Sequence, residues 1–243
     1  MIPHIIHYCW FGRNKMPQVA VDCISTWRKY FPGWEIKEWN EDNYDLSGIP
    51  YIEDAYRLKK WAFVSDFVRL DILYRYGGIY LDIDVEFIKP LPSTYLDFTG
   101  FMGFEYTNVI APGLIFGVEK ENPFVKKILD SYEGERFYYN SNGIYKTINM
   151  RITDALSEDG LVKNGQQQVV DGFHIFPAEY FCGYNTDIRE PEITENTICW
   201  HHYLGSWSNP SLKMKLQNSL KRIIGVDKYK KVLNCVRKMR NKK

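Results

Sequence analysis

Residues 77–85 read GGIYLDIDV, an apolar run that carries Asp82 and Asp84 with a single residue between them. In a strand, residues i and i+2 share a face, with Cβ atoms about 6–7 Å apart. Two carboxylates so placed repel unless something positive lies between them, and a buried strand tolerates them only near its end. In open α/β sheets that end, the carboxyl edge, is also where ligands bind. The pair therefore asks for a fold that delivers this segment to the mouth of a crevice.

The flanking pattern supplies one. PHIIHYCW reads as a buried first strand, QVAVDCISTWRKYF as a helix stopped by Pro32-Gly33, and WEIKEWN as a second strand. YIEDAYRLKK and WAFVSDFVRLDILYRY are helical, the latter ending at Gly77-Gly78 as a C-cap requires, and the segment with the aspartates is the third strand. Further on, FTGFMGF, GLIFGV, QVVDGFHIFP and NTICWHHY read as strands, and NPFVKKILDSY and IYKTINMRITDAL as helices. The order β-α-β-α-α-β predicts an α/β domain with a mostly parallel sheet. Trp10 and the aspartates then share one crevice.

A hard divalent cation suits two neighbouring carboxylates. Mg2+ or Mn2+ takes oxygen ligands in octahedral geometry, usually one or two carboxylates, with substrate phosphates and water completing the shell. On that reading the ligand is a diphosphate. A solvated strand end is the plain alternative, against which the flanking Ile79-Tyr80 and Val85 count. Glycoside hydrolysis needs carboxylates on both sides of a bond, which two on one strand face do not provide. A phosphatase of the haloacid-dehalogenase kind also carries DxD after an apolar strand, but its pattern wants Thr or Val where Glu86 stands.

Upstream, Asp66 and Arg69 lie three apart on one helix face, an arrangement that an intrahelical ion pair alone would explain. The whole string, AFVSDFVRLDILYRYGGIYLDIDVEFIKPL, resembles the core signature of glycosyltransferase family 32 and, more distantly, the glucosyltransferase domains of large clostridial toxins: S-D-x-x-R, a short helix, then G-G-x-Y-x-D-x-D. IPHIIHYCWFG, CISTWRKYFPGWEIKEWNEDNYD, EYFCGY and HHYLGSWS extend the resemblance, to bacterial capsule- and polysaccharide-type members, over roughly residues 1–208. It implies a GT-A fold, a mixed Rossmann-like sheet flanked by helices, with a nucleotide-sugar donor (a UDP-hexose), Mn2+ or Mg2+, and retention of anomeric configuration.

Carried over, Trp10 would stack on the donor base, Asp66 and Arg69 would hold the donor sugar, Asp82 would reach ribose and metal, and Asp84 would ligate the metal; Tyr80 and Gly113 join the donor-binding set. Asp82, Asp84 and Arg69 are the candidate catalytic residues. HHYLGSWS adds a histidine to the metal shell, and Ser206 and Trp207 as donors to the β-phosphate. Strand alternation lets one of His201 and His202 face the site, and His202 is the expected one. Two departures bear on donor and acceptor identity: Ala111-Pro112-Gly113 stands where relatives often carry a small polar residue, and INMRITDAL lacks a Thr/Gly-Pro step at its start.

Composition enters through its asymmetry. Residues 211–243 hold 12 of the 31 Lys and Arg and one of the 30 Asp and Glu, so this tail carries +11 and the first 210 residues −10. Leu212, Leu216, Leu220 and Ile223 form one helical stripe in it, and Tyr229, Val232, Val236 and Met239 another. The division expected is a catalytic domain over 1–210 and a basic amphipathic tail over 211–243, suited to an anionic membrane surface and a lipid-linked saccharide acceptor; a solvated helical cap is the alternative. Nucleic-acid binding is not expected, since no reading module accompanies the charge. Five scattered cysteines without a CxxC pair, and an N-terminus without a basic-then-apolar leader, point to the cytoplasm, at most peripheral on the membrane's inner face. Aromatic residues reach 16%, which suits flat polar ligands. A sugar- or nucleotide-binding module without turnover is the non-enzymatic alternative.

Overall fold

The structure, a computed structural model, describes residues 1–138, 146–185, 190–204 and Gly225. Its first third follows from simple periodicity. Strand β1 (Ile5–Cys9) leads to helix α1 (Gln18–Tyr30), whose last turn carries Arg28 and Lys29 against the negative end of its dipole. Strand β2 (Glu35–Trp39), helix α2 (Pro50–Arg57) and helix α3 (Trp61–Tyr76) follow. Helix α3 is apolar nearly all round, burying Val64, Phe67, Val68, Leu70, Ile72 and Leu73, as a helix inside a fold does. Gly77 stops it with φ 65°, a conformation that favours glycine.

Strand β3 (Gly78–Tyr80) is shorter than expected: the run from 77 to 85 breaks at Leu81, and strand β4 (Val85–Phe87) is a separate element. Asp82 and Asp84 lie in the turn between them, closed by the Val85 N–H on the Asp82 carbonyl at 3.1 Å. They are thus not neighbours on one strand face. A 3-10 turn (Ser93–Asp97) leads to β5 (Gly100–Tyr106), β6 (Val109–Ile110), β7 (Phe116–Val118), α4 (Pro123–Asp130) and α5 (Ile148–Glu158). Then come β8 (Gln168–Val170), β9 (Phe173–Phe176), α6 (Ala178–Phe181), β10 (Tyr184–Asn185), β11 (Glu190–Pro191) and β12 (Cys199–His201). QVVDGFHIFP, expected as one strand, is a hairpin turning at Asp171-Gly172, both with positive φ.

The main sheet runs β2-β1-β3-β7-β5-β9-β8, with β6 beside β5. The parallel order expected from β-α-β alternation holds for β2-β1-β3, and β5 and β9 are also parallel. Strand β7 runs antiparallel to both β3 and β5, because a short turn rather than a crossover helix brings the chain back from β5. The sheet is therefore mixed. One face packs under α2, α3, α4 and α5 through Tyr80, Met102 and Phe116; the other packs under α1, α6 and the β4-β12 pair through Ile6, Ile79 and Phe101. The division at residue 210 and the two stripes of the tail lie outside the described residues.

His7, fully buried on β1, ties three elements together. It accepts the Trp39 indole N–H on Nδ1 at 3.1 Å, so Nε2 carries the proton, which it gives to the Gly77 carbonyl at 2.9 Å. Burial pulls its pKa down to about 4 from 6.5. The unfolded chain takes up a proton below pH 6.5 while the folded one resists until about 4, so this stabilisation is whole above 6.5 and is lost as pH falls towards 4. Its size is on the order of 3 kcal/mol. Denaturant midpoints measured across that window should fall with pH in the native protein and fall less in His7→Gln; equal slopes would contradict the assignment.

Candidate active site

Helix α3 brings Asp66 and Arg69 to the carboxyl edge of the sheet. Both are buried, which an ionised pair tolerates only with partners in place. Arg69 supplies them: its Nη2 lies 3.1 Å from Asp66 Oδ1 and 3.2 Å from Asp82 Oδ1, and its guanidinium stacks over the Tyr80 ring at 4.5 Å. The Tyr80 hydroxyl donates to the same Asp82 oxygen at 3.2 Å. Burial pushes the Asp66 carboxyl up to about 6, against the pull of Arg69.

Gly113 closes this group from the side. The Asp82 N–H donates to the Gly113 carbonyl at 2.9 Å. A Cβ at Gly113 would sit 2.8 Å from Asp82 Cγ and 3.1 Å from Arg69 Nη1, so only a residue without a side chain leaves Asp82 its seat. Within the Ala111-Pro112-Gly113 departure, the glycine thus has a steric reason.

Asp84 is held from the other direction. The register of β12 on β4 sets His201 opposite Val85, and His201 Nε2 lies 3.1 Å from Asp84 Oδ1 and 4.0 Å from Asp82 Oδ2. The Leu204 N–H donates to Asp84 Oδ2 at 2.9 Å, and the His202 N–H to the Asp84 carbonyl at 2.9 Å. Despite burial, the imidazole and the Leu204 N–H hold the Asp84 carboxyl below its usual range. Despite its own burial, His201 is raised by Asp84, Asp82 and Glu105. The expectation for His202 is corrected here: its ring turns away to Glu86, 2.8 Å from Oε2, and lies tilted against the Trp200 ring. Alternation was the right rule, but its phase is set by β4, which local sequence did not reveal.

The two carboxylates converge on the point where His201 Nε2 now stands, and their chemistry fits a hard divalent cation, which needs one or two carboxylates and fills its shell with phosphate oxygens and water. Among the described residues no group of three His, Cys, Asp or Glu side chains forms a ready-made cage. The Tyr203 N–H donates to His201 Nδ1 at 3.0 Å, so Nε2 is protonated here and serves Asp84 as a donor. Trp10 follows β1 at the same edge, half-buried, with its indole N–H on the Asn14 carbonyl at 2.7 Å. Ser206 and Trp207 lie outside the described residues. Sequence reading missed Glu105 and Tyr203, which lie beside the aspartates through pairings remote in the chain: the Tyr203 N–H meets His201 and its hydroxyl meets Glu105. The missing Thr/Gly-Pro step has a local answer: Thr147 caps α5, its hydroxyl accepting the Met150 N–H at 3.3 Å.

Residues 17–101 match a family described as the glycosyltransferase sugar-binding region containing DXD motif. The chain carries a DXD glycosyltransferase region. Asp66, Arg69, Tyr80, Asp82 and Asp84 all fall within it. An uncharacterized glycosyltransferase of Acanthamoeba polyphaga mimivirus is 25% identical over 228 residues, 88% of this chain and 86% of that one. Inositol phosphoceramide mannosyltransferases 1 and 3 of Schizosaccharomyces pombe are 29% and 27% identical over 37% and 60% of this chain. The chain spans only 30% and 41% of the length of those two. Among solved structures, PaToxG glycosyltransferase superposes with a TM-score of 0.51 at 20% identity, covering 65% of this chain and 70% of that one. The fold of the DXD glycosyltransferase region and the sheet around it is the GT-A type.

Proposed function

We propose that the chain is a metal-dependent, retaining glycosyltransferase of the family-32 kind. It moves a hexose from a nucleoside-diphosphate sugar, in the first instance UDP-linked, to a saccharide or lipid-linked saccharide acceptor in polysaccharide synthesis. The observation that carries this reading is Arg69, held between Asp66 and Asp82 beside a second aspartate whose carboxylate converges with Asp82. Such a group offers a carboxylate to sugar hydroxyls, a guanidinium to developing negative charge, and a pair of carboxylates to a cation.

A divalent metal bound there supplies Lewis-acid neutralisation of the diphosphate. Asp82 and Asp84 would hold it; Asp66 accepts hydroxyls of the donor sugar, and Arg69 keeps Asp82 aimed while adding its own positive field. The acceptor hydroxyl forms the new bond to the anomeric carbon on the face from which the diphosphate departs. Its proton passes to a departing phosphate oxygen, so no protein base is required. Positioning and electrostatics then provide most of the acceleration. The mannosyltransferase names of two relatives support a hexose donor and a lipid-bearing acceptor, and the basic segment 211–243 supports placement on the inner face of an anionic membrane.

The test is release of nucleoside diphosphate from a panel of nucleotide sugars by the purified chain, with and without Mn2+. Release from one donor, dependent on metal, is expected. Tight metal-dependent UDP binding with no release from any donor, whatever saccharide is added, would favour a binding module instead.

A further inference from the structure

We propose that Glu105 is the carboxylate that binds the acceptor, accepting a hydrogen bond from a hydroxyl of the incoming saccharide. The inference rests on the glycosyltransferase reading and goes beyond it by assigning the acceptor side of the site.

Glu105 stands next to last on β5, at the same sheet edge as the donor group, half-buried. Its orientation is fixed from two sides. The Tyr203 hydroxyl donates to Oε1 at 2.9 Å, and the Asn149 amide, from the first turn of α5, donates to Oε2 at 3.3 Å. A carboxylate offers about four lone-pair positions, so these donors leave capacity unused. Among the described residues Glu105 makes no ion pair, although burial raises its pKa and Asp82 and His201 both act on it electrostatically. A half-buried carboxylate fixed by neutral donors, without an ion pair among the described residues and beside a cluster already rich in aspartate, is costly unless a ligand uses it.

The charge of that ligand follows. A nucleoside diphosphate is anionic and a further carboxylate would repel it, so Glu105 suits a neutral, hydroxyl-bearing partner; with Asp66 already given to the donor sugar, that partner is the acceptor. Tyr203, which grips it, sits at φ 52°, a strained conformation for a residue with a side chain. Its N–H bonds His201 Nδ1 and its hydroxyl bonds Glu105, so one residue sets the acceptor carboxylate relative to the Asp84 side of the site. Tyr203 is a positioning residue in this scheme.

The experiment compares wild type with Glu105→Gln, using the donor and metal found by the panel and methyl α-glucoside, α-mannoside and α-galactoside as acceptor probes. Glu105→Gln should raise the acceptor KM about 10- to 100-fold, with donor hydrolysis in the absence of acceptor and donor KM within twofold of wild type. Tyr203→Phe, which keeps the ring and removes one donor to Glu105, should raise acceptor KM severalfold and serves as the second variant should the first fail to fold. Parallel loss of hydrolysis and transfer in the folded variants, or an unchanged acceptor KM, would overturn the assignment while leaving the glycosyltransferase reading intact. A wild type inert towards every donor would overturn that reading, and the assignment of Glu105 with it.

Discussion

Asp84→Asn should abolish sugar transfer, lowering turnover by at least about 10³-fold, while the protein remains folded. The amide keeps an oxygen for the Leu204 N–H but turns its NH2 towards the His201 Nε2–H, so one buried donor loses its acceptor, at a cost of about 1–3 kcal/mol, while the β4-β12 pairing itself is untouched. What is lost is the negative charge. Asp84 is buried and its carboxyl is held ionised by His201 and the Leu204 N–H, which makes it the more firmly placed of the two carboxylates that converge near His201. An amide oxygen is a far weaker ligand for a hard cation. Calorimetric titration with Mn2+ and UDP should show loss of metal-dependent nucleotide binding in step with activity, in a protein whose melting temperature falls by several degrees but which still unfolds cooperatively. Near-wild-type turnover with metal supplied would remove the proposed metal site.

Gly113→Ala tests the other half of the site without altering any charged group. The added methyl would lie 2.8 Å from Asp82 Cγ, and Asp82 cannot simply swing aside, because Arg69 and Tyr80 both hold its Oδ1. Either the carboxylate leaves Arg69 or the 111–114 turn lifts from the sheet. Displacements near 1 Å at reacting groups cost about 10²-fold in rate, and a forced methyl of this kind costs roughly 1–3 kcal/mol in stability. The expected result is a turnover loss of about that rate factor in a protein that still unfolds cooperatively. Full activity in Gly113→Ala would mean that Asp82 works from a position other than the one seen here.

Much of the first half of the fold was legible because its signals are local. Helix α3 begins and ends where its apolar run and Gly77 say it must, and Asp66, Arg69, Tyr80 and Asp82 are brought together through spacings of three and two residues and one helix-to-strand turn. The misreadings share a cause. Whether His201 or His202 faces the aspartates depends on the pairing of β12 with β4, a partner more than 110 residues upstream in the chain. Strand β3 ends at Tyr80, and the Asp82 N–H goes to the Gly113 carbonyl, a contact remote in the chain. Glu105 carried no local signal at all: a glutamate ending an apolar strand reads as a solvated edge until Tyr203 and Asn149 are placed beside it. The hairpin at Asp171-Gly172 is different, since a DG pair between apolar runs is a recognised turn signal and was available in the sequence.

The Leu204 N–H that completes the Asp84 turn comes from 120 residues further along the chain. On a ribosome, the β1-β2-β3 core and α3 have all emerged, with Asp66, Arg69 and Asp82 able to find one another, long before Cys199–His201 can leave the exit tunnel. Because contacts distant in the chain form late, the last of the described segments to dock is the one that completes the proposed site. On the proposed reading, competence is acquired late in folding, and a chain that stops short of β12 would carry the Asp66-Arg69-Asp82 half of the site without the partners that hold Asp84.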